Sequence, residues 1–307
     1  MRIVFMGTPE FSVAFLQHLQ ASSHQLVAVV TQPDRPAGRG RQLAPPPVKV
    51  AAQALELPVL QPTNLRDPAL EAELRAFQAD LFVVVAFSIL PKNLLGASRS
   101  GAVNLHGSLL PCYRGAAPVQ WAVANGDPET GVTVFLLDEK MDHGPILVQE
   151  RLPIGPEETG AEVLARMASL GCIALDKALE GLQNGQLQSL PQNHGAASPA
   201  PKLRKEDGRL DWNKSAQELH NRIRAFQPWP GGYTILRGRL LHIHRCLACP
   251  EKQDLAPGFV QVDAGRMWVG TGVGALELLN VQAEGRKPMS VSEFVRGLQS
   301  TQGLQCL

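Results

Sequence analysis

Five short apolar runs, residues 3–6, 26–31, 81–86, 103–106 and 132–136, punctuate the first half of the chain and are rich in Val, Ile and Leu. Short runs rich in β-branched residues predict buried strands. Between them, residues 11–20, 48–55, 69–77 and 117–124 read as helices. Strand and helix in alternation predict an α/β domain with a Rossmann-like, doubly wound, mostly parallel sheet. A longer helix over 161–183 closes it. Residues 189–201 are rich in Pro, Ala, Ser and Gly and lack periodicity, which predicts a linker. A helix over 215–225 then precedes short strands at 233–236, 240–246, 258–262, 267–270 and 276–281, the pattern of a small β-barrel or sandwich. The expected division is a domain over 1–189, a linker over 190–206 and a second domain over 207–307.

Side chains alternate along a strand, so in Val103-Asn104-Leu105-His106 the amide and the imidazole share one face while Val103 and Leu105 point into the core. The strand ends there, at the edge where open parallel sheets bind ligands. Downstream lies Asp138-Glu139-Lys140-Met141-Asp142-His143-Gly144. Asn104, His106 and a carboxylate in reach suit a carbonyl that becomes tetrahedral: Asn donates to the oxyanion, His donates or shuttles a proton, and Asp142 fixes its tautomer or takes the proton. The same residues also fit a satisfied turn and a loop cap. Spacing alone leaves both readings open.

The 307 residues carry a net charge of +1, with 44% hydrophobic and 19% charged residues, the balance of a soluble globular protein long enough for two domains. Aromatics at 5% argue against broad base-stacking platforms. Charge is uneven: residues 201–245 hold ten Lys/Arg against four acids, a local +6 that suits a phosphate backbone or an ordinary solvated face. Five scattered cysteines fit a reducing compartment. No leader or membrane span is visible, so the cytoplasm is the expected location.

Other motifs change less. Gly7-Thr8-Pro9 follows the first strand with only one of the three dinucleotide-fold glycines, which disfavours nicotinamide and flavin. Gly270 to Ala275 lies between late strands and reads as a turn, and no Gly-Lys-Ser/Thr occurs. His242, His244, Cys246 and Cys249 carry metal-ligand chemistry, yet closing a tetrahedral site needs a turn that the spacing barely permits. Residues 32–47 are expected to form neither helix nor sheet. With Arg35, Arg39, Arg41 and Lys49 against Asp34 they make a basic loop suited to a phosphodiester chain.

Taken together these residues resemble the methionyl-tRNA formyltransferases, over essentially the whole chain. Asn104 to Pro111 and the Asp142 loop match the 10-formyltetrahydrofolate-dependent formyltransferases as a class, and Arg114 to Pro118 and Asn125 to Thr133 extend the match. The basic loop, with Leu210-Asp211-Trp212 and Pro228-Trp229-Pro230-Gly231, narrows it. The resemblance implies a formyltransferase catalytic domain and a tRNA-binding barrel resembling an OB-fold. It implies formyl transfer from 10-formyltetrahydrofolate to the methionine of initiator methionyl-tRNA, without metal, by a monomer. By position, Asn104, His106 and Asp142 become catalytic. Phe87, Ser108, Leu109, Leu110 and Pro111 would line the folate, and Arg35, Arg39, Arg41, Lys49 and Lys205 would meet tRNA. Phe87-Ser88 replaces a frequent Tyr-Gly, while Gln42 and Cys112 replace residues that are often basic. Formylation of an amino-sugar nucleotide, or RNA binding without catalysis, are the rival expectations.

Overall fold

A computed structural model of the protein describes residues 1–37, 42–298 and 300–307. Two compact units are present. One comprises Met1–Pro118, Glu129–Pro153 and Leu164–Pro201; the other comprises Val119–Pro128, Ile154–Val163 and Lys202–Leu307.

In the first unit all five apolar runs form strands of one seven-stranded sheet. Its order is Ile146–Pro153, Glu129–Leu136, Ala102–His106, Leu81–Val85, Arg2–Gly7, Gln25–Val30, Val59–Leu60. The last five are mutually parallel, and the first two form an antiparallel extension. Val, Ile, Leu and Phe fill the central strands because both faces are covered, and Phe5, Phe15, Phe82 and Phe135 are wholly buried. Gly7 ends the first strand for a packing reason. An added Cβ would sit 2.8 Å from Ser12 Cβ, at the start of the helix Glu10–Gln20. Ser12 then donates from Oγ to the Val85 carbonyl at 2.7 Å, tying helix to sheet.

Two expectations about irregular chain need correction. Arg35–Ala37 and Gln42–Ala44 pair as a two-stranded antiparallel ribbon, where neither helix nor sheet was expected. Proline is tolerated because an isolated ribbon has an open side that needs no N–H. Residues 190–201, expected as linker, are hydrogen-bonded into the first unit. Leu190 bridges Ile146, and Pro199–Ala200 runs parallel to Arg114–Gly115. An extended, proline-rich segment can be ordered entirely through polar contacts, to which hydrophobic periodicity is blind.

In the second unit the helix Ala216–Ala225 opens with a capping box, Ser215 and Glu218 satisfying each other's backbone N–H. Its apolar face, Leu219 and Ile223, joins Trp212, Ile243, Leu276 and Val281 in the core. The sheet order is Gly232–Leu236, Arg239–Cys249, Ala275–Ala283, Arg266–Gly270, Val260–Asp263, all antiparallel. Residues 304–307 close it. Leu307 exchanges backbone bonds with Ile235, while the Leu304 carbonyl accepts from Val260 and Cys306 donates to Gly258. Both free edges are thereby paired. The helix Val291–Arg296, absent from the sequence reading, has its own capping box of Ser290 and Glu293.

Candidate active site

Ala102–His106 lies between a parallel neighbour and an antiparallel one, so its C-terminal end is held on both sides: Asn104 pairs with Val84 and Phe135, and His106 with Thr133. Val103 and Leu105 are buried, as alternation requires. Asn104 is half-buried, and among the described residues its side-chain amide has no hydrogen-bond partner. It is therefore a free donor at the strand end.

His106 is 6% exposed. Its Nε2 lies 2.8 Å from the Tyr113 carbonyl. A carbonyl only accepts, so Nε2 carries the proton and Nδ1 faces Asp142, whose Oδ2 is 3.8 Å away. Of the two tasks expected of Asp142, fixing the tautomer or taking the proton, the first falls to the Tyr113 carbonyl. The 3.8 Å separation exceeds a hydrogen bond and leaves Asp142 able to take a proton from a third group.

Asp142 sits at φ +50°, a left-handed conformation that aspartate tolerates. Its Oδ2 accepts from the Gly115 N–H at 2.8 Å. Gly115 has φ +129°, and an added Cβ would overlap the Ala200 carbonyl oxygen. The loop backbone is anchored by buried Gln192, which donates from Nε2 to the Asp142 and Gly144 carbonyls at 3.0 and 2.7 Å. Gln192 Oε1 accepts from Arg114 at 2.5 Å, and Arg114 also bonds His194 Nδ1 at 2.9 Å. The His194 ring stacks on His143 at 3.9 Å, and His143 in turn bonds Asp138 at 2.7 Å. Desolvation, then the nearby charges of His143 and Arg114, hold His194 below the ordinary imidazole range.

The turn after His106 is tightly satisfied. Ser108 is fully buried and donates to the Cys112 carbonyl at 2.6 Å. Thr133 Oγ1 donates to the Ser108 carbonyl and accepts from Leu110 N–H. Leu110 is buried, and Leu109 and Pro111 are half-buried. Phe87 is half-buried against the core of the sheet. A cleft of 1360 Å³ opens at the carboxyl edge of the parallel strands, lined by Gln32, Asn64, Arg66, Ser88, Lys92 and Glu139 among others. Phe87 and residues 108–111 do not line it, although Ser88, next to Phe87, does.

Arg39 and Arg41 lie outside the described residues. Arg35 is exposed and bonds Gln32 at 2.7 Å. Both Asp34 oxygens hold the Lys49 ammonium at 2.8 Å, so Lys49 secures the base of the ribbon. The Gln61 and Lys49 hydrogen bonds keep the Asp34 carboxyl below the usual range. Lys205 is exposed in a short 3₁₀ turn. His244 bonds Gln282, Cys246 is buried, and no group of three or more His, Cys, Asp or Glu is placed to hold a metal among the described residues.

Comparison with known proteins places this geometry. Residues 1–179 match the formyl transferase family and residues 202–299 the formyl transferase C-terminal domain. Methionyl-tRNA formyltransferase of Myxococcus xanthus is 46% identical over 99% of this chain and 97% of its own; that of Acidobacterium capsulatum is 45% identical over 97% and 96%. The chain belongs to the methionyl-tRNA formyltransferase family. Solved structures share the fold. An N-formyltransferase from Helicobacter canadensis, in complex with folinic acid and dTDP-3-aminofucose, gives a TM-score of 0.69 at 18% identity, over 92% of this chain and 98% of that one. HypX from Aquifex aeolicus with tetrahydrofolic acid gives 0.62 at 18%, over 97% of this chain and 48% of that one. Within the formyltransferase site, sequence reasoning missed Gln192, His194 and Ser198, whose only signal was polar side chains in a stretch without periodicity.

Proposed function

We propose that this protein transfers the formyl group of 10-formyltetrahydrofolate to the α-amino group of methionine on initiator tRNA. The observation that carries the reading is the Asn104 amide, unpartnered among the described residues, on one strand with His106, whose Nδ1 is 3.8 Å from Asp142, at the carboxyl edge of the sheet. The relatives named for this activity, aligned over nearly the full chain, support it.

Asn104 donates to the formyl oxygen as charge develops, an interaction whose loss costs ~2.7–4 kcal/mol at typical oxyanion sites. With His106 Nε2–H committed to the Tyr113 carbonyl, Nδ1 is the nitrogen that faces the reaction. Carrying a proton it donates to the same oxygen, and Asp142 balances that charge. Asp142 takes the proton that the attacking amine sheds as its nitrogen bonds to carbon. That proton leaves with the folate nitrogen when the old C–N bond breaks. Acid–base assistance of this kind contributes ~10²–10⁴ in rate.

The 1360 Å³ cleft exceeds the usual ~300–1,000 Å³ of small-ligand sites and has space for an extended co-substrate. Phe87, next to Ser88 of that cleft, and Ser108 to Pro111, in the turn after His106, contact the folate. Arg35, with Arg39 and Arg41, contacts the tRNA acceptor end, Lys205 contacts its backbone, and Lys49 secures the loop. The second unit is a closed barrel resembling an OB-fold, and the protein acts as a cytoplasmic monomer. By function, 1–189 is catalytic, 207–307 binds tRNA, and 190–206 connects them, its first part hydrogen-bonded to the catalytic unit.

Labelled formyl transfer from 10-formyltetrahydrofolate to charged initiator tRNA, elongator methionyl-tRNA and an amino-sugar nucleotide tests the proposal. Transfer to initiator methionyl-tRNA alone is expected. Transfer to the sugar nucleotide instead would overturn the acceptor, and tRNA binding without any transfer would overturn the activity.

A further inference from the structure

We propose that Gln192 is a positioning residue for the reaction, setting the backbone from which Asp142 acts. The inference rests on the reading of Asp142 as proton acceptor. Gln192 is 6% exposed, and its amide is fully used in a direction-specific way. Both Nε2 hydrogens go to carbonyls two residues apart, those of Asp142 and Gly144, at 3.0 and 2.7 Å. Oε1 accepts from Arg114 Nη2. Only an amide supplies two donors and an acceptor in one planar group of this length.

The two carbonyls are that of Asp142, which holds the left-handed conformation, and that of the residue two beyond it. Arg114 is adjacent to Gly115, whose N–H holds the Asp142 carboxylate. Gln192 therefore ties the backbone of Asp142 to the strand that grips its side chain. Ser198 reinforces the arrangement by accepting from Tyr113 N–H at 2.9 Å, and the Tyr113 carbonyl orients His106. One short stretch of chain thus sets the spacing between carboxylate and imidazole. A loop freed to move by about 1 Å loses on the order of 10² in rate, because proton transfer depends on near-attack geometry.

The test is a double-mutant cycle on the full-length enzyme, reading single-turnover and steady-state formyl transfer to charged initiator tRNA. Gln192→Ala removes all three bonds. Gln192→Glu keeps the length and the acceptor for Arg114 but loses both donors, which guards against a variant that fails to fold. Both are expected to lower kcat by about 10²-fold while KM for each substrate stays within about threefold. In an Asp142→Asn background the same changes should have almost no further effect, because the group they position is gone. An equal loss in both backgrounds, or parent-like turnover in both Gln192 variants, overturns the proposal and leaves Asp142 untouched. Parent-like turnover of Asp142→Asn alone overturns the reading of Asp142, and the proposal with it.

Discussion

Gly115→Ala perturbs the site through backbone alone. The residue has φ +129°, and a non-glycine residue held in such a region costs about 1–3 kcal/mol. The new methyl would also overlap the Ala200 carbonyl oxygen, across the short parallel pairing of Arg114–Gly115 with Pro199–Ala200. Relief requires the two segments to part by about 1 Å, which draws the Gly115 N–H away from Asp142 Oδ2, now 2.8 Å distant. Displacement of that order costs about 10²-fold in kcat, and the strain lowers the melting temperature by about 2–4 °C per kcal/mol. Formyl transfer at saturating substrates, with differential scanning fluorimetry on the same preparation, measures both. Turnover within about threefold of the parent, together with unchanged melting, would refute the claim that Gly115 carries the carboxylate.

Other outcomes follow from the same geometry. Arg39→Ala should weaken use of initiator tRNA and reduce the slope of log affinity against log salt by about 1, as loss of one phosphate contact does; an unchanged slope removes Arg39 from the interface. His194, held below the ordinary imidazole value, stabilises its surroundings as a neutral acceptor. That contribution is complete above its unfolded value of about 6.5 and is lost as pH falls through the lower folded value, so amide exchange over 190–200, corrected for its intrinsic pH dependence, should quicken on mild acidification. No quickening would mean that the Arg114–His194 contact is unimportant. Burial pushes the Cys306 thiol up to about 12 and Cys246 higher still, whereas Cys112 is exposed. Alkylation of the native protein should therefore label Cys112 first and reach Cys246 and Cys306 only after unfolding; early labelling of Cys306 would contradict the pairing of residues 304–307 with both sheet edges.

The fold was largely legible because burial leaves a period in the sequence. Residues 3–6 and 81–86 announce strands by being apolar throughout, residues 103–106 by alternating Val103 and Leu105 with Asn104 and His106, and Leu219 and Ile223 announce a helix face four residues apart. Asn104 and His106 were legible as a pair for the same reason, since a strand fixes which side chains face alike. What escaped was held by polar contacts. Gln192 and Ser198 look like any residues of a proline-rich connection until Asp142, Gly144 and Tyr113 are seen against them. Pro36 hid a ribbon because proline argues against sheet wherever both sides of a strand must be bonded. Ser290 and Glu293 carried a legible capping signal for the helix Val291–Arg296 that was passed over between a strand and a glycine.

Because residues 304–307 pair with both edges of the second sheet, they also shield it from other molecules. A product lacking those four residues would keep every other strand, yet it would carry two raw borders, Gly232–Leu236 and Val260–Asp263, each with unmatched N–H and C=O groups. Such borders recruit strands from other molecules. Copies lacking 304–307 should therefore associate with one another through these edges.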